Sequence, residues 1–310
     1  MHYYESDYLM GFYRSGTAPP VLVLAVCAIS ARFSKHPALR HDPPFLAGEA
    51  FASEARRQIL KKFDTPNITN VTVCVLLGLH EFGTCQGGRS WAMAGMATRM
   101  AHAIQLHKEA NNDPLGRLHS RPASDYFHQG EGGYMSFVDR EIRRRCMWSC
   151  FILDRFTSSG TERPHLIVES EIEIQLPVHD RNLELGIPAV TEQLDGTVKD
   201  SGEEVGDVTG DMGVAAYMVR IVALYGRVVK YLNQVSVPEA LVSILLLSFF
   251  LSFYFILNIF YGNPSPLGLW KYKADYKYRV FLLTSLRGAK TATPVTSGSQ
   301  IPNLRSSIRR

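Results

Sequence analysis

Between Glu141 and Phe156 the chain reads EIRRRCMWSCFILDRF, and this stretch limits the fold more than any other. Ile142, Cys146, Cys150 and Leu153 recur at i, i+4, i+8 and i+11, one face of an α-helix. Trp148, Phe151, Ile152 and Phe156 widen that stripe past half the circumference. A helix apolar on nearly all sides belongs inside a helical protein, with only its ends reaching the surface. Arg143, Arg144 and Arg145 crowd its start, where the helix dipole disfavours positive charge. An acidic group is therefore expected to face them, and Glu141 is the nearest by sequence.

The rest of the chain supplies helices to surround it. Residues 21–33 are an apolar run with Pro19 and Pro20 before it and Pro37 after, a buried helix of about three turns. Residues 47–63 place Phe51, Ala55 and Ile59 at fourfold spacing, an amphipathic helix that Pro66 is expected to stop. Residues 71–82 fit a strand by their β-branched start or a buried helix by their length. Residues 90–107, rich in Ala, Met and Leu, read as a helix capped by Ser90, with Trp91, Ala94, Met100 and Ile104 on its buried face. A Gly-rich turn between these last two makes a helix hairpin. Residues 214–233 return to helical spacing through Val214, Met218, Ile221, Leu224, Tyr225 and Val228. Residues 108–135 and 178–212 are polar and rich in Gly and Pro, two surface loops, the second acidic and expected to be mobile. The expected fold is all-α, a multi-helix domain over 1–234 interrupted by those two polar loops.

Composition removes several function classes. The chain has 310 residues and a net charge of +4, but beyond Trp270 nearly every ionisable residue is Lys or Arg. The bulk is close to neutral, and 263–310 is a basic, disordered tail by composition. Cys27, Cys74, Cys85, Cys146 and Cys150 are odd in number and contain no CxxC pair, so they fit neither a disulfide framework nor a zinc site. Cys146 and Cys150 read as two small buried thiols. Asn67-Ile68-Thr69 and Asn70-Val71-Thr72 are glycosylation acceptors only in a secreted chain, and the residues after Met1 do not read as a signal peptide. His80, His102 and His107 read as hydrogen-bonded helix residues rather than ligands or bases. There is no GxSxG, HExxH or paired-carboxylate arrangement, so no enzyme is expected.

A series of motifs runs in order along these helices. It comprises LAVCAISARFS from Leu24, the Trp91, Gly95, Arg99-Met100-Ala101 and Leu106-His107 helix, Arg143-Arg144-Arg145, Trp148, Asp154-Arg155, Arg163-Pro164 and Leu176-Pro177. In this order they resemble the regulatory domain, or middle homology region, of the fungal zinc binuclear-cluster transcription factors, the xylanolytic-activator type being nearest. The resemblance implies a helical domain that carries no chemistry and tunes an attached DNA-binding module in the nucleus. It also implies other transcription proteins or a homodimer partner, and in some members a small-molecule effector. Trp91, Arg99, Arg143, Arg144, Arg145, Trp148, Asp154, Arg155, Pro164, Leu176 and Pro177 are expected to hold the fold. Asp154 and Arg143 to Arg145 are expected to share a buried charge network, and a pocket is expected beside the 90–107 and 141–156 helices. The family's zinc is held by six cysteines in a short basic module; five scattered cysteines cannot supply it here, so DNA contact falls to a missing or separate module.

Two other readings compete. Gly83-Thr84-Cys85-Gln86-Gly87-Gly88-Arg89-Ser90 is one substitution from a phosphate-binding P-loop, with Arg89 in place of Lys and Asp154 as the acidic partner of a nucleotide triphosphatase. Arg's planar fork does not replace the compact Lys charge in that tight loop. Residues 240–261, within an apolar segment 235–262, lack any charge and span roughly 33 Å as a helix, enough to cross a bilayer core. Either they anchor a membrane-bound helical regulator, or residues after Gln234 translate an unspliced intron, since Val235-Ser236 can be encoded by a splice-donor sequence.

Overall fold

The computed structural model describes residues 18–109, 135–159, 163–198 and 208–234. The expected apolar segment 235–262, the basic tail 263–310 and nearly all of the 108–135 loop lie outside them. Among the described residues there are seven α-helices and no β-strand. No helix of that part is long and apolar enough to cross a membrane.

Helix α1 (Pro20–Ser30) opens on Pro20, whose missing N–H is one the first turn would leave unpaired anyway. Three short 3-10 turns lead to α2 (Glu49–Ile59), which buries Ala52, Ala55 and Ile59. The two helices meet so closely that a Cβ on Gly48 would lie 1.8 Å from the Ala28 carbonyl oxygen. Pro66 does not stop α2, which has already ended; it stands beside Asn67, whose side chain accepts from the Asn70 N–H at 2.8 Å and caps α3 (Ile68–Gly83). The strand alternative for 71–82 is thereby settled as helix.

Helix α4 (Gly87–Ala103) runs back along α3 as the expected hairpin. Ser90 does not cap it. The hydroxyl instead lies buried within the first turn and donates to the Gly78 carbonyl of α3 at 2.8 Å. The packed face is Met93, Ala94, Ala97, Met100 and Ala101, small enough for close approach, while Trp91 is 40% exposed. Helix α5 (Phe137–Thr157) lies across both and buries Cys146, Met147, Trp148, Cys150, Phe151 and Leu153. It begins four residues before Glu141, where the Ser136 side chain accepts from the Asp139 N–H at 3.1 Å. The three arginines are therefore beyond the first turn, where the dipole penalty has faded.

The 178–212 segment is not a mobile loop where it is described. Val178, Ala189, Val190 and Thr191 are buried, and a short helix α6 (Asp180–Leu185) ends on Gly186 in the left-handed conformation. Val178, Leu183 and Ala189 pack with Phe137 at the start of α5, which accounts for their order. Helix α7 (Val214–Gln234) packs on α5 and buries Ala216, Val219, Val222, Ala223, Gly226 and Val229. Of the expected face, Tyr225 is buried as read, whereas Val214, Leu224 and Val228 are exposed. Ala216, Ala223 and Gly226 let α7 come close to α5 on the buried face, which leaves Val214, Leu224 and Val228 turned outward.

Candidate functional site

Because α5 is buried nearly all round, its charged ends need internal partners, and the structure provides two separate sets rather than one network. At the N-terminal end Glu141, fully buried, accepts from Arg145 Nε at 2.9 Å and from the Val178 N–H at 3.0 Å, with Arg144 at 3.5 Å. Arg145 also donates to Asp180 at 2.7 Å and to the Val178 carbonyl at 2.8 Å. Burial works against the Asp180 charge, but the Arg145 guanidinium outweighs it and holds the carboxyl below its ordinary range. Arg144, 5% exposed, grips Glu109 with Nε and Nη2 at 2.9 and 3.0 Å, and Glu109 in turn accepts from the Gln175 N–H at 2.9 Å. Arg143 donates to the Ile104 carbonyl at 3.0 Å, tying α5 to the end of α4.

At the other end, Asp154 and Arg155 form a buried pair at 2.6 Å. Asp154 accepts from the N–H groups of Leu166 and Ile167, and Arg155 donates to the Ile167 carbonyl at 2.9 Å. The Arg155 guanidinium also lies 4.2 Å from the centre of the Phe151 ring. Helix α7 closes over this pair at Gly226, where a Cβ would meet Arg155 Cδ at 2.5 Å. Asp154 therefore does not share a network with Arg143 to Arg145, since the helix carries them to opposite ends.

Between these ends an extended strap follows α5. Ile172, Ile174, Leu176 and Val178 alternate inward, Trp148 donates its indole N–H to the Gln175 carbonyl at 2.9 Å, and the Leu176 carbonyl accepts from Thr191. Pro177 is buried, whereas Pro164 is exposed and uses only its carbonyl, which accepts from Ser158 at 3.2 Å. Arg99 is exposed, and Trp91 lies under the Arg163 guanidinium at 5.7 Å from its ring centre. Glu109, Gln175, Asp180 and Glu192 were not singled out by sequence. The period-two run IEIQLPV from Ile172 was the available signal for the strap.

The pocket expected beside the 90–107 and 141–156 helices is a cleft lined by Leu106, Lys108, Glu109, Arg140, Arg143, Arg144 and Ile174. Its volume is about 10 Å³, room for one water, because the Glu109 carboxylate occupies its cationic wall. The P-loop reading fails on geometry. A helix, α3, precedes the turn where a P-loop needs a strand, Arg89 stands 3.8 Å from Glu81, and Asp154 is committed to Arg155. His80 bonds Ala28 and Glu49, and His102 bonds the Thr98 carbonyl, but the buried His107 Nδ1 has no hydrogen-bond partner in the structure. Among the described residues no group of three His, Cys, Asp or Glu could hold a metal ion.

Residues 6–197 match the family described as the fungal specific transcription factor domain. The Zn(2)-C6 fungal-type transcription factor FTF1c of Fusarium oxysporum is 50% identical over 226 residues, which cover 71% of this chain and 23% of that protein. FTF2 of the same organism is 47% identical over 226 residues, 71% of this chain and 20% of the relative. An uncharacterized transcriptional regulatory protein of Schizosaccharomyces pombe is 46% identical over 223 residues, 71% of this chain and 22% of the relative. The chain thus spans about a quarter of the length of the curated relatives it matches, and no solved structure matches it. With a family match over more than half its length, the chain belongs to the fungal specific transcription factor domain family.

Proposed function

We propose that the chain is the regulatory part of a fungal transcription regulator, acts in the nucleus, and modulates transcription through contacts with other transcription proteins rather than by any chemical step. Family membership is the observation that carries this reading. The use of the motif arginines supports it: they are spent on holding α4, α5 and the strap together, not on an open reaction centre. DNA and zinc belong to a separate module, since five cysteines, three of them buried, cannot form a six-cysteine cluster. A small anionic effector would have to displace Glu109 from Arg144 to enter the cleft, so a change in helix packing or partner contact is the mechanism the geometry favours. The test is a reporter gene driven by an unrelated DNA-binding domain fused to this chain, compared with that domain alone, in fungal cells. A change of about fivefold or more in reporter output, in either direction, supports the reading, given that couplings of this kind are worth about 1 kcal/mol or more. Equal output at equal protein level overturns it.

A further inference from the structure

The outer face of α7 carries Val214, Tyr217, Ile221, Leu224, Val228 and Tyr231, spaced 3-4-3-4-3 along the helix. Five of the six are large apolar residues exposed by 39 to 62%, with Ile221 half-buried among them. This is the a/d seam of a coiled coil, a period of 3.5 that fits another helix better than a flat surface. We propose that this seam is a dimer interface, and that its occupant is the same helix of a second copy running antiparallel.

The order of side-chain sizes supports that orientation. Turned end for end about a two-fold axis, the seam places Val214 against Tyr231, Tyr217 against Val228, and Ile221 against Leu224 of the other copy. Each layer then pairs a small side chain with a large one or two of equal size, which is how facing positions fill space at constant separation. A parallel pairing would stack Tyr on Tyr and Val on Val, leaving alternately crowded and empty layers. Area agrees as well. The exposed fractions correspond to about 500 Å² per copy, about 1,000 Å² for the pair, the low end of specific interfaces. Charge also permits the contact, although α7 has no acidic residue. Arg220 and Arg227, which flank the seam and would meet their counterparts, are already paired to Glu192 and Glu169. On the other flank, Tyr225 and Leu232 face the chain's own core.

The test uses the full chain in sedimentation equilibrium, beside Leu224→Glu at the centre of the seam and Phe63→Glu at an exposed apolar site elsewhere. The expected result is a dimer for the parent and for Phe63→Glu, with the dissociation constant raised at least about tenfold for Leu224→Glu, which buries an unpaired carboxylate. Circular dichroism checks that helix content is unchanged. A parent that stays monomeric, or a Leu224→Glu dimer as tight as the parent, overturns the proposal. Orientation is read by oxidative cross-linking in a Cys85→Ser background. Tyr217→Cys and Val228→Cys should cross-link when mixed and not when alone, because in the antiparallel pair identical positions lie about 16 Å apart, beyond disulfide reach. Cross-linking of each variant alone overturns the antiparallel arrangement.

Discussion

Replacing Asp154 by Ala tests how far the buried pair at the C-terminal end of α5 holds the fold. Three things change at once in a site where both charged side chains are only 2% exposed. Arg155 loses its 2.6 Å partner and keeps the Ile167 carbonyl and Glu169, the latter at 3.7 Å. The N–H groups of Leu166 and Ile167 lose their acceptor in a place shielded from water. Removing one member of a buried ion pair costs roughly 3–5 kcal/mol, and each orphaned buried N–H about 1–3 kcal/mol, though the two overlap because one carboxylate serves both. Taking about 3 kcal/mol as the floor, and about 2–4 °C per kcal/mol for a domain of this size, the melting temperature should fall by about 6–12 °C or more. The assay is thermal unfolding followed by circular dichroism, with exposed Arg99→Ala as a control expected within about 0.5 kcal/mol of the parent. Asp154→Ala with Arg155→Met should recover part of the loss, since the uncompensated charge is then gone. A single Asp154→Ala variant that melts within about 2 °C of the parent would refute the reasoning.

The same site makes Gly226→Ala informative: better helix propensity should add about 1 kcal/mol, but the new Cβ meets a pinned Arg155, so net destabilisation of about 1–2 kcal/mol is expected in denaturant titrations. A gain in stability would mean that Arg155 yields without leaving Asp154. Acid should unfold the domain in part through Asp180 and Glu49. Burial opposes both charges, but Arg145 for the first, and Arg56 and His80 for the second, hold both carboxyls below their ordinary values. Their contribution is present above about pH 4 and lost as the pH falls through the depressed values, so Asp180→Asn should flatten the acid limb of melting temperature against pH. An identical acid limb in the variant would remove Asp180 from the account. Thiol titration of the native chain should show fast reaction at exposed Cys85 and protection of Cys74, Cys146 and Cys150, since burial pushes the Cys74 thiol up to about 12. Rapid reaction of all five without denaturant would contradict the packing of α3 against α5.

Most of the helices and the family were legible in the sequence, because a 3.6-residue period and ordered motifs are local properties, but 71–82 stayed ambiguous and the short helix Asp180–Leu185 was read as loop. The near-complete apolar belt of α5 announced its burial, and Glu141 was recognisable as a partner for the arginines because it lies four residues from Arg145 on the same helix. Which face of α4 or α7 turns inward was only partly readable: Ala94, Met100 and Tyr225 are buried as read, but hydrophobicity ranked Trp91, Leu224 and Val228 above Ala97, Ala223 and Gly226. Only tertiary structure decided that, because the close approach of two helix backbones rewards small side chains, and the space available is set by the neighbour. It also decided that Asp154 pairs with Arg155 while Glu109 and Asp180, each 35 residues from its arginine, meet Arg144 and Arg145. Such distant partners leave no periodic trace along the chain; they are brought together by folding, when the burial of α5 demands a counter-charge at each end.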